Sequence, residues 1–388
     1  MTADVLTPRQ RRLSLAVVIA GVFGVGVAFG AMIPLITLRL ERDGVDTALI
    51  GLNAAMFPLA VLAIGPFLPR LVGRLGTLRS MYAGLAVGGA TILLFPLFPN
   101  LGAWFALRLA VGAASAIHWV VSETWMNTLA TDRDRGRIMG VYATVLAAGF
   151  TCGPLIIGVV GIDGWRPFLI IAGAVALSAV PLPFARGLAP PMPAQHGATI
   201  RGLVAAAPTV MLAALVGGFV DTGLFTLLPI YGLRAGFAEA AVVAMLSLFV
   251  AGNLALQLPI GWLADRTDRR AVLLACVAAG LVGAVLLPAL LSLGPPLWIM
   301  LFLWGGTSFG IYTCGLALLG ERFPRAQLAG ANTAFVMIYE CGSASGPVIA
   351  GAAMDLVGRD GLVLTVGLAS GAFLLFGLVR RRGVRDRA

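Results

Sequence analysis

The chain has 388 residues, 59% of them hydrophobic and only 11% charged, against about 25% charged in soluble domains. Its formal charge of +10 rests on arginine alone. No lysine occurs, which excludes a phosphate-cradling GxxxxGK[ST] loop and a Schiff-base nucleophile. So much apolar content alongside 50 Gly and 22 Pro excludes disorder and implies an all-α polytopic membrane protein.

A bilayer core takes about 20 mostly apolar residues per helix. Twelve such stretches follow in chain order, at 13–38, 47–69, 77–97, 101–129, 138–161, 165–185, 202–233, 240–263, 270–293, 296–319, 328–353 and 359–379. The first lacks a small-residue cleavage signature and reads as a retained helix, not a signal peptide. Their joints are short and carry Arg, Pro, Asp and Gly. With the N-terminus inside, the inner segments hold 21 of the 27 arginines, among them Arg9, Arg11, Arg12, Arg70, Arg74, Arg79, Arg133, Arg266, Arg269, Arg270, Arg322 and Arg380. That bias predicts both termini in the cytoplasm and an even number of spans. Arginine without lysine is the codon bias of a GC-rich bacterial genome, so the expected location is the bacterial inner (plasma) membrane. Trp104, Trp165 and Trp298 fall at outer span ends and Trp262 at an inner one, as interfacial aromatics do.

The longest inner joint, 186–201, carries Pro190, Pro191, Pro193 and Gly197 and divides the chain into an N-terminal bundle at 1–185 and a C-terminal bundle at 202–388. His196 in that joint reads as a solvated loop histidine. The two bundles repeat one another. Pro34-x4-Arg39 recurs as Pro229-x4-Arg234, 195 residues on. Gly65 recurs as Gly261, and Gly149-x3-Gly153-Pro154-x3-Gly158 as Gly342-x3-Gly346-Pro347-x3-Gly351, 193 residues on. Each six-span half inserts in the same orientation, which makes the repeat parallel about an axis normal to the membrane.

The loops after spans two and eight carry a resemblance. The second reads Gly261, Asp265, Arg266, Arg269, Arg270, with Asp268 where a Gly is usual. The first keeps Gly65, Arg70 and Arg74, with Pro69 where an Asp belongs. In this the chain resembles the major facilitator superfamily over essentially its whole length. Arg108-x3-Gly112 is similar to the family's fourth-helix Arg motif, and the Gly-Pro run of spans five and eleven to the motif of its drug–proton antiporters. Ser122-Glu123-Thr124-Trp125-Met126-Asn127 and the run Pro259 to Arg266 look like the YcaD-type subgroup. The resemblance implies the family's fold, twelve transmembrane helices as two parallel six-helix repeats, with spans one, four, seven and ten around a central cavity.

Residue chemistry gives the candidate sites. At the loop after span eight, Asp265 has the spacing to pair with Arg266, Arg269 or Arg270 and to accept N–H groups at the next helix start, a clasp that could gate one face. Simple inside-positive topology is the plainer account of the same arginines. The small-x3-small runs of Gly149, Gly153, Pro154, Gly158 and Gly342, Gly346, Pro347 allow close helix approach and bending. Arg108, Glu123, Asp221 and Glu340 lie inside apolar spans, where a central charge costs at least about 2.5–3.5 kcal/mol. Arg108 and Glu123 are about 22 Å apart along their helix and cannot pair. Asp221, Glu340 and Glu123 are therefore the proton-coupling candidates, in that order, with a structural hydrogen-bonded acid as the alternative for each. Ser115, Trp119 and Ser122 share the helix face of Arg108. Trp304, Thr307 and Tyr312 repeat the pattern in span ten. By the family's cavity geometry these residues, with Arg108, lie near substrate, whereas span eleven is less central. His118 is a relay candidate or a histidine satisfied by a neighbouring helix. Cys152, Cys276, Cys314 and Cys341 read as buried small hydrophobes.

The expected function is secondary active transport of a small organic solute, by proton antiport and efflux. A proton symporter or a facilitator for sugars or metabolites is the alternative. A membrane-embedded enzyme lacks a nucleophile–base pair, and a channel lacks charge rings or a filter loop. No cofactor and no metal site are expected. The expected partners are the solute, protons and the lipid bilayer, with no nucleic acid, and a monomer suffices.

Overall fold

The computed structural model describes residues 6–131, 134–190, 200–323 and 325–385. Among them the chain is helical, without strands. In chain order the helices are α1 (Pro8–Arg42), α2 (Thr47–Ile64), α3 (Leu68–Leu75), α4 (Thr77–Leu94), α5 (Leu101–Leu129), α6 (Arg135–Val160), α7 (Arg166–Ala179), α8 (Ile200–Ala206), α9 (Pro208–Arg234), α10 (Glu239–Arg266), α11 (Arg269–Leu290), α12 (Pro295–Arg322), α13 (Arg325–Val357) and α14 (Gly361–Arg385). Eleven helical stretches among the described residues are long and apolar enough to cross a membrane. The remaining expected span, 328–353, lies in α13. That helix has the length, at 33 residues, but Asn332, Tyr339, Glu340, Ser343 and Ser345 dilute its hydropathy.

Three expected spans are broken by proline, one of them 165–185, where α7 ends at Ala179 and Pro181 leads into a 3-10 segment over Leu182–Ala185. Gly65-Pro66 turns 65–67 into a 3-10 segment, since Pro66 has no N–H to continue the α ladder. Arg70 and Arg74 then ride on the short α3, both exposed. The stretch 202–233 is split before Pro208. Ala207 is forced out of helical geometry (φ −136°, ψ 58°) because a residue preceding proline avoids the α region. Of the joint 186–201, residues 191–199 lie outside the described residues, and with them Pro191, Pro193, His196 and Gly197. Arg133 lies outside them too.

Contacts divide the chain into two compact units, residues 1–36 with 56–196 and residues 37–55 with 197–388. In the first, α1 and α6 approach to backbone contact. A Cβ on Gly149 would meet the Phe23 carbonyl, and one on Gly153 the backbone of Gly30. Pro154 sits inside the continuous α6, and Gly158 is exposed. One end of the unit is latched. Arg11 pairs with Asp134 at 2.7 Å and donates to the Leu129 carbonyl at 2.8 Å. The hydrogen bond from Arg11, then that from Thr131, holds the Asp134 carboxyl at about 2, well below its ordinary value. Trp125 donates to Ser14 at 2.9 Å and Ser14 to the Leu188 carbonyl at 3.2 Å. Trp104 is buried, contrary to its expected interfacial place, because its indole N–H bonds the Phe95 carbonyl at 3.2 Å and its ring packs on Phe95.

In the second unit α9 and α13 repeat that packing. Gly342 lies against the Leu215 carbonyl, Gly346 against the Phe219 carbonyl, and Gly218 against the Tyr339 carbonyl, with Pro347 inside α13. The sequence repeat thus reappears as one packing device used once in each unit. Residues 37–55 belong to this unit through charge. Arg234 grips Glu41 with two hydrogen bonds (2.8 and 3.1 Å) and Thr47 Oγ1 with a third (2.7 Å). Arg42 pairs with Glu239. Asp355, at the end of α13, accepts the Thr47 and Ala48 N–H groups (3.0 and 2.7 Å) and so caps α2 from another helix. Gly51 and Gly351 permit this approach, lying against the carbonyls of Pro347 and Thr47.

Candidate functional site

The first unit encloses a cavity of about 50 Å³ built on α5. Arg108, Ser115 and His118 reach it from one face of that helix, opposite Val25, Phe29 and Met32 of α1 and Gly84 and Gly88 of α4. Arg108 is 4% exposed, and its one hydrogen bond among the described residues is a long contact to the Met32 carbonyl (3.4 Å). His118 is 2% exposed, and neither ring nitrogen has a partner among the described residues. The expectation of a satisfied histidine is thereby corrected: apart from Arg108 and Ser115 the side chains lining the cavity with it are apolar, and neither of those two bonds the ring. The cavity's size suits a few waters or a charged head group, well short of the roughly 300–1,000 Å³ of a site for a whole organic ligand.

The rest of the expected α5 face diverges. Trp119 is 42% exposed and stands edge-on to Phe29 (5.8 Å). Ser122 is fully buried beneath α6, sharing a hydrogen bond with the Tyr142 hydroxyl at 3.0 Å. Tyr142 has no distinguishing signal in the sequence, being one aromatic in an apolar run.

In the second unit the structure gathers Asp221, Tyr312 and Tyr339. Asp221 is 2% exposed. Tyr339 donates to one of its carboxylate oxygens at 3.0 Å, and the other is buried without a partner among the described residues. Tyr312 packs edge-on against Tyr339 (5.0 Å) and Phe335 (5.3 Å). Glu340 follows Tyr339 on α13 and is half-buried, with no hydrogen bond or ion pair among the described residues. Sequence reasoning singles out Tyr339 only as the neighbour of Glu340; its signal is a phenol set beside an acid in an apolar helix. Trp304, 2% exposed, turns instead into the bundle, packing on Phe249 and over Gly283. Thr307 bonds back to the Leu303 and Trp304 carbonyls of its own helix.

At the loop after α10, Asp265 pairs with Arg269 at 2.8 Å, and Arg269 also pairs with Glu321 at 3.1 Å. Asp268, not Asp265, accepts the N–H at the start of α11, from Arg270 at 2.9 Å. Asp265 still lies within α10, one turn too early to cap the next helix. Arg266 stacks over Trp262, 4.1 Å from the ring centroid, and Gly261 stands in open space. Among the cysteines, Cys276 and Cys314 are buried and Cys152 is half-buried, but Cys341 is exposed, because its side of α13 points away from the α9 contact.

Residues 18–250 and 210–387 each match the Major Facilitator Superfamily. The chain is 28% identical over 346 residues to the uncharacterized MFS-type transporter YfkF of Bacillus subtilis, covering 84% of this chain and 85% of that one. It is 24% identical over 367 residues to the uncharacterized MFS-type transporter YcaD of Salmonella typhimurium, covering 94% and 95%. Among solved structures, the fold matches a mutant form of the nucleoside transporter NupG (TM-score 0.75, 15% identity, 95% of this chain and 99% of that one). It also matches a bacterial homolog of the human lysosomal transporter Spinster (TM-score 0.76, 13% identity, 96% and 97%). A multi-pass helical chain matched over nearly its whole length in this way belongs to the major facilitator superfamily, and it is a membrane transporter and not an enzyme.

Proposed function

We propose that this transporter moves a small organic solute out of the cell by proton antiport, through alternating access of two six-helix halves, 1–185 and 202–388, with both termini cytoplasmic and a monomer as the working unit. The observation that carries the proposal is Asp221. It is a carboxylate in an apolar membrane helix with one phenol donor and one bare oxygen. Burial favours the uncharged form of a carboxylate, so a proton is the cheapest partner for that oxygen. Taking up or losing the proton alters what α9 and α13 share, and with it which access state is preferred. Glu340 and Glu123, half-buried in their spans, are the second and third candidates. The Arg108–His118 cavity supports recognition of a polar or anionic head group, with the bulk of the solute outside it. The network of Glu41, Thr47, Arg234 and Asp355 supports a gate, since its Glu41–Arg234 ion pair is partly exposed and such pairs cost little to break.

Proton flux in proteoliposomes, challenged with cationic, neutral and anionic solutes, tests this reading. Solute-dependent flux that Asp221→Asn abolishes is the expected result. Solute movement without any proton flux, or an unchanged pH dependence in Asp221→Asn, Glu340→Gln and Glu123→Gln alike, makes the chain a facilitator and the acids structural.

A further inference from the structure

Where α8 meets α9, a cleft of about 500 Å³ opens between α9, α11, α12 and α14. Three arginines line it: Arg270 in the first turn of α11, Arg322 in the last turn of α12 and Arg380 on α14. Each uses one guanidinium nitrogen on the cleft wall. Arg270 donates to the Gly377 carbonyl (3.2 Å), Arg322 to the Ala206 carbonyl (3.3 Å) and Arg380 to Thr209 Oγ1 (3.4 Å). A guanidinium has five N–H donors, so among the described residues most of the donors are left over. The Nε of Arg270 is buried without a partner among the described residues. The carboxylate on the lining, Glu321, is already paired with Arg269. The same cleft receives the start of α9, where Ala207 offers no side-chain cap to the Thr209 and Val210 amides.

Inside-positive topology requires arginines at this end of the helices, but not that three converge on one concavity with spare donors. We propose that the cleft binds the phosphate of an anionic phospholipid headgroup. The ligand chemistry is a phosphate ester anion: planar guanidinium forks fit its oxygens bidentately, and the free amides of α9 add donors. The cleft lies at the ends of membrane helices, the depth at which headgroups are concentrated, and it is larger than inorganic phosphate needs. This site does not depend on the transport reaction or on its coupling ion.

The test uses the purified full chain in phosphate-free detergent buffer, incubated with phosphatidylglycerol, cardiolipin, phosphatidylcholine or inorganic phosphate. Retained lipid is read by native mass spectrometry and protection by the unfolding temperature. Phosphatidylglycerol or cardiolipin should be retained and raise the unfolding temperature, and phosphatidylcholine should not. The double variant Arg322→Gln/Arg380→Gln should lower retention by on the order of tenfold or more. Arg9→Gln/Arg12→Gln removes the same charge from exposed positions of α1 and should leave retention unchanged. Protection by inorganic phosphate with the same arginine dependence, without lipid retention, overturns the lipid assignment in favour of a soluble phosphate. Equal loss in both double variants, or equal retention of all lipids, overturns the site. If the glutamine pair does not fold, Arg380→Lys, which keeps the charge but loses the fork, should still weaken retention; no change there counts against the proposal.

Discussion

Tyr339 on α13 donates its hydroxyl to Asp221 on α9 at 3.0 Å, beside the place where Gly218 lets the two helices touch. The pair ties the most deeply buried acid among the described residues to a backbone contact between the two helices. Removing only the hydroxyl, by Tyr339→Phe, strips Asp221 of its phenol donor and leaves a buried polar group unmet. That costs about 1–3 kcal/mol. Asp221→Asn keeps the shape and a hydrogen bond, so it should unfold at nearly the wild-type temperature. Asp221→Leu removes the acceptor altogether, so in the double variant Tyr339→Phe/Asp221→Leu the losses of Tyr339→Phe and Asp221→Leu should fall short of their sum, and thermal unfolding of wild type, these two single variants and the double variant measures the coupling. Additive losses would mean that the bond contributes nothing.

Asp134 supplies a pH dependence of defined sign. Its folded value, about 2, lies below the ordinary 3.8 because Arg11 and Thr131 bond the charged form. A carboxyl depressed in this way stabilises the fold above its unfolded value, and the contribution fades as pH falls through the folded one. Asp134→Asn lacks that titration. The difference in unfolding temperature between wild type and Asp134→Asn should therefore be constant from neutral pH to about 5 and close between about 4 and 2. A gap that persists at pH 2 would show that the Arg11 latch is not electrostatic.

Local patterns in the sequence are enough for the helices and their repeat, because hydropathy and the Gly-Pro runs act within a few residues. Partners far along the chain are not legible. Glu41 and Arg234 are 193 residues apart, and Thr47 and Asp355 are 308 apart, so nothing local marks Asp355 as the cap of α2. A helical wheel places Ser122 with Arg108, but only the packing of α6 shows that Tyr142 claims it. Trp304 likewise reads as a ligand contact in the sequence, whereas Gly283 makes room for its ring inside the bundle. The capping acid of α11 reads as Asp265 and is Asp268, because composition does not fix the end of α10 to within one turn.

The Glu41–Arg234 pair should respond to charge reversal as a unit. Glu41→Arg or Arg234→Glu alone puts like charges together beside Thr47 and should lower transport. The exchange Glu41→Arg/Arg234→Glu restores opposite charges and should recover part of the loss. The effect on stability should stay within about 1 kcal/mol, since the pair is partly exposed. Initial rates of solute uptake into vesicles decide the matter, and a double variant no better than the worse single one would remove the pair from any gating role.

The glycines of the repeat make the sharpest contrast. At Gly153 and Gly346 a Cβ would run into the backbone of Gly30 and Phe219, and backbone in a packed helix pair cannot swing aside as a side chain can. Gly153→Leu and Gly346→Leu should therefore each cost at least the roughly 1–3 kcal/mol of an overpacked core and leave little folded protein. Gly261, named in the same motif reading, has nothing within 4 Å of its would-be Cβ. Gly261→Ala should fold normally and gain slightly in helix propensity, since Gly in a helix interior is about 1 kcal/mol worse than Ala. Size-exclusion profiles of fluorescently tagged variants separate the two groups. If Gly346→Leu gave a monodisperse wild-type peak, the backbone contact between α9 and α13 would be wrong, and the placement of Tyr339 beside Asp221 would fall with it.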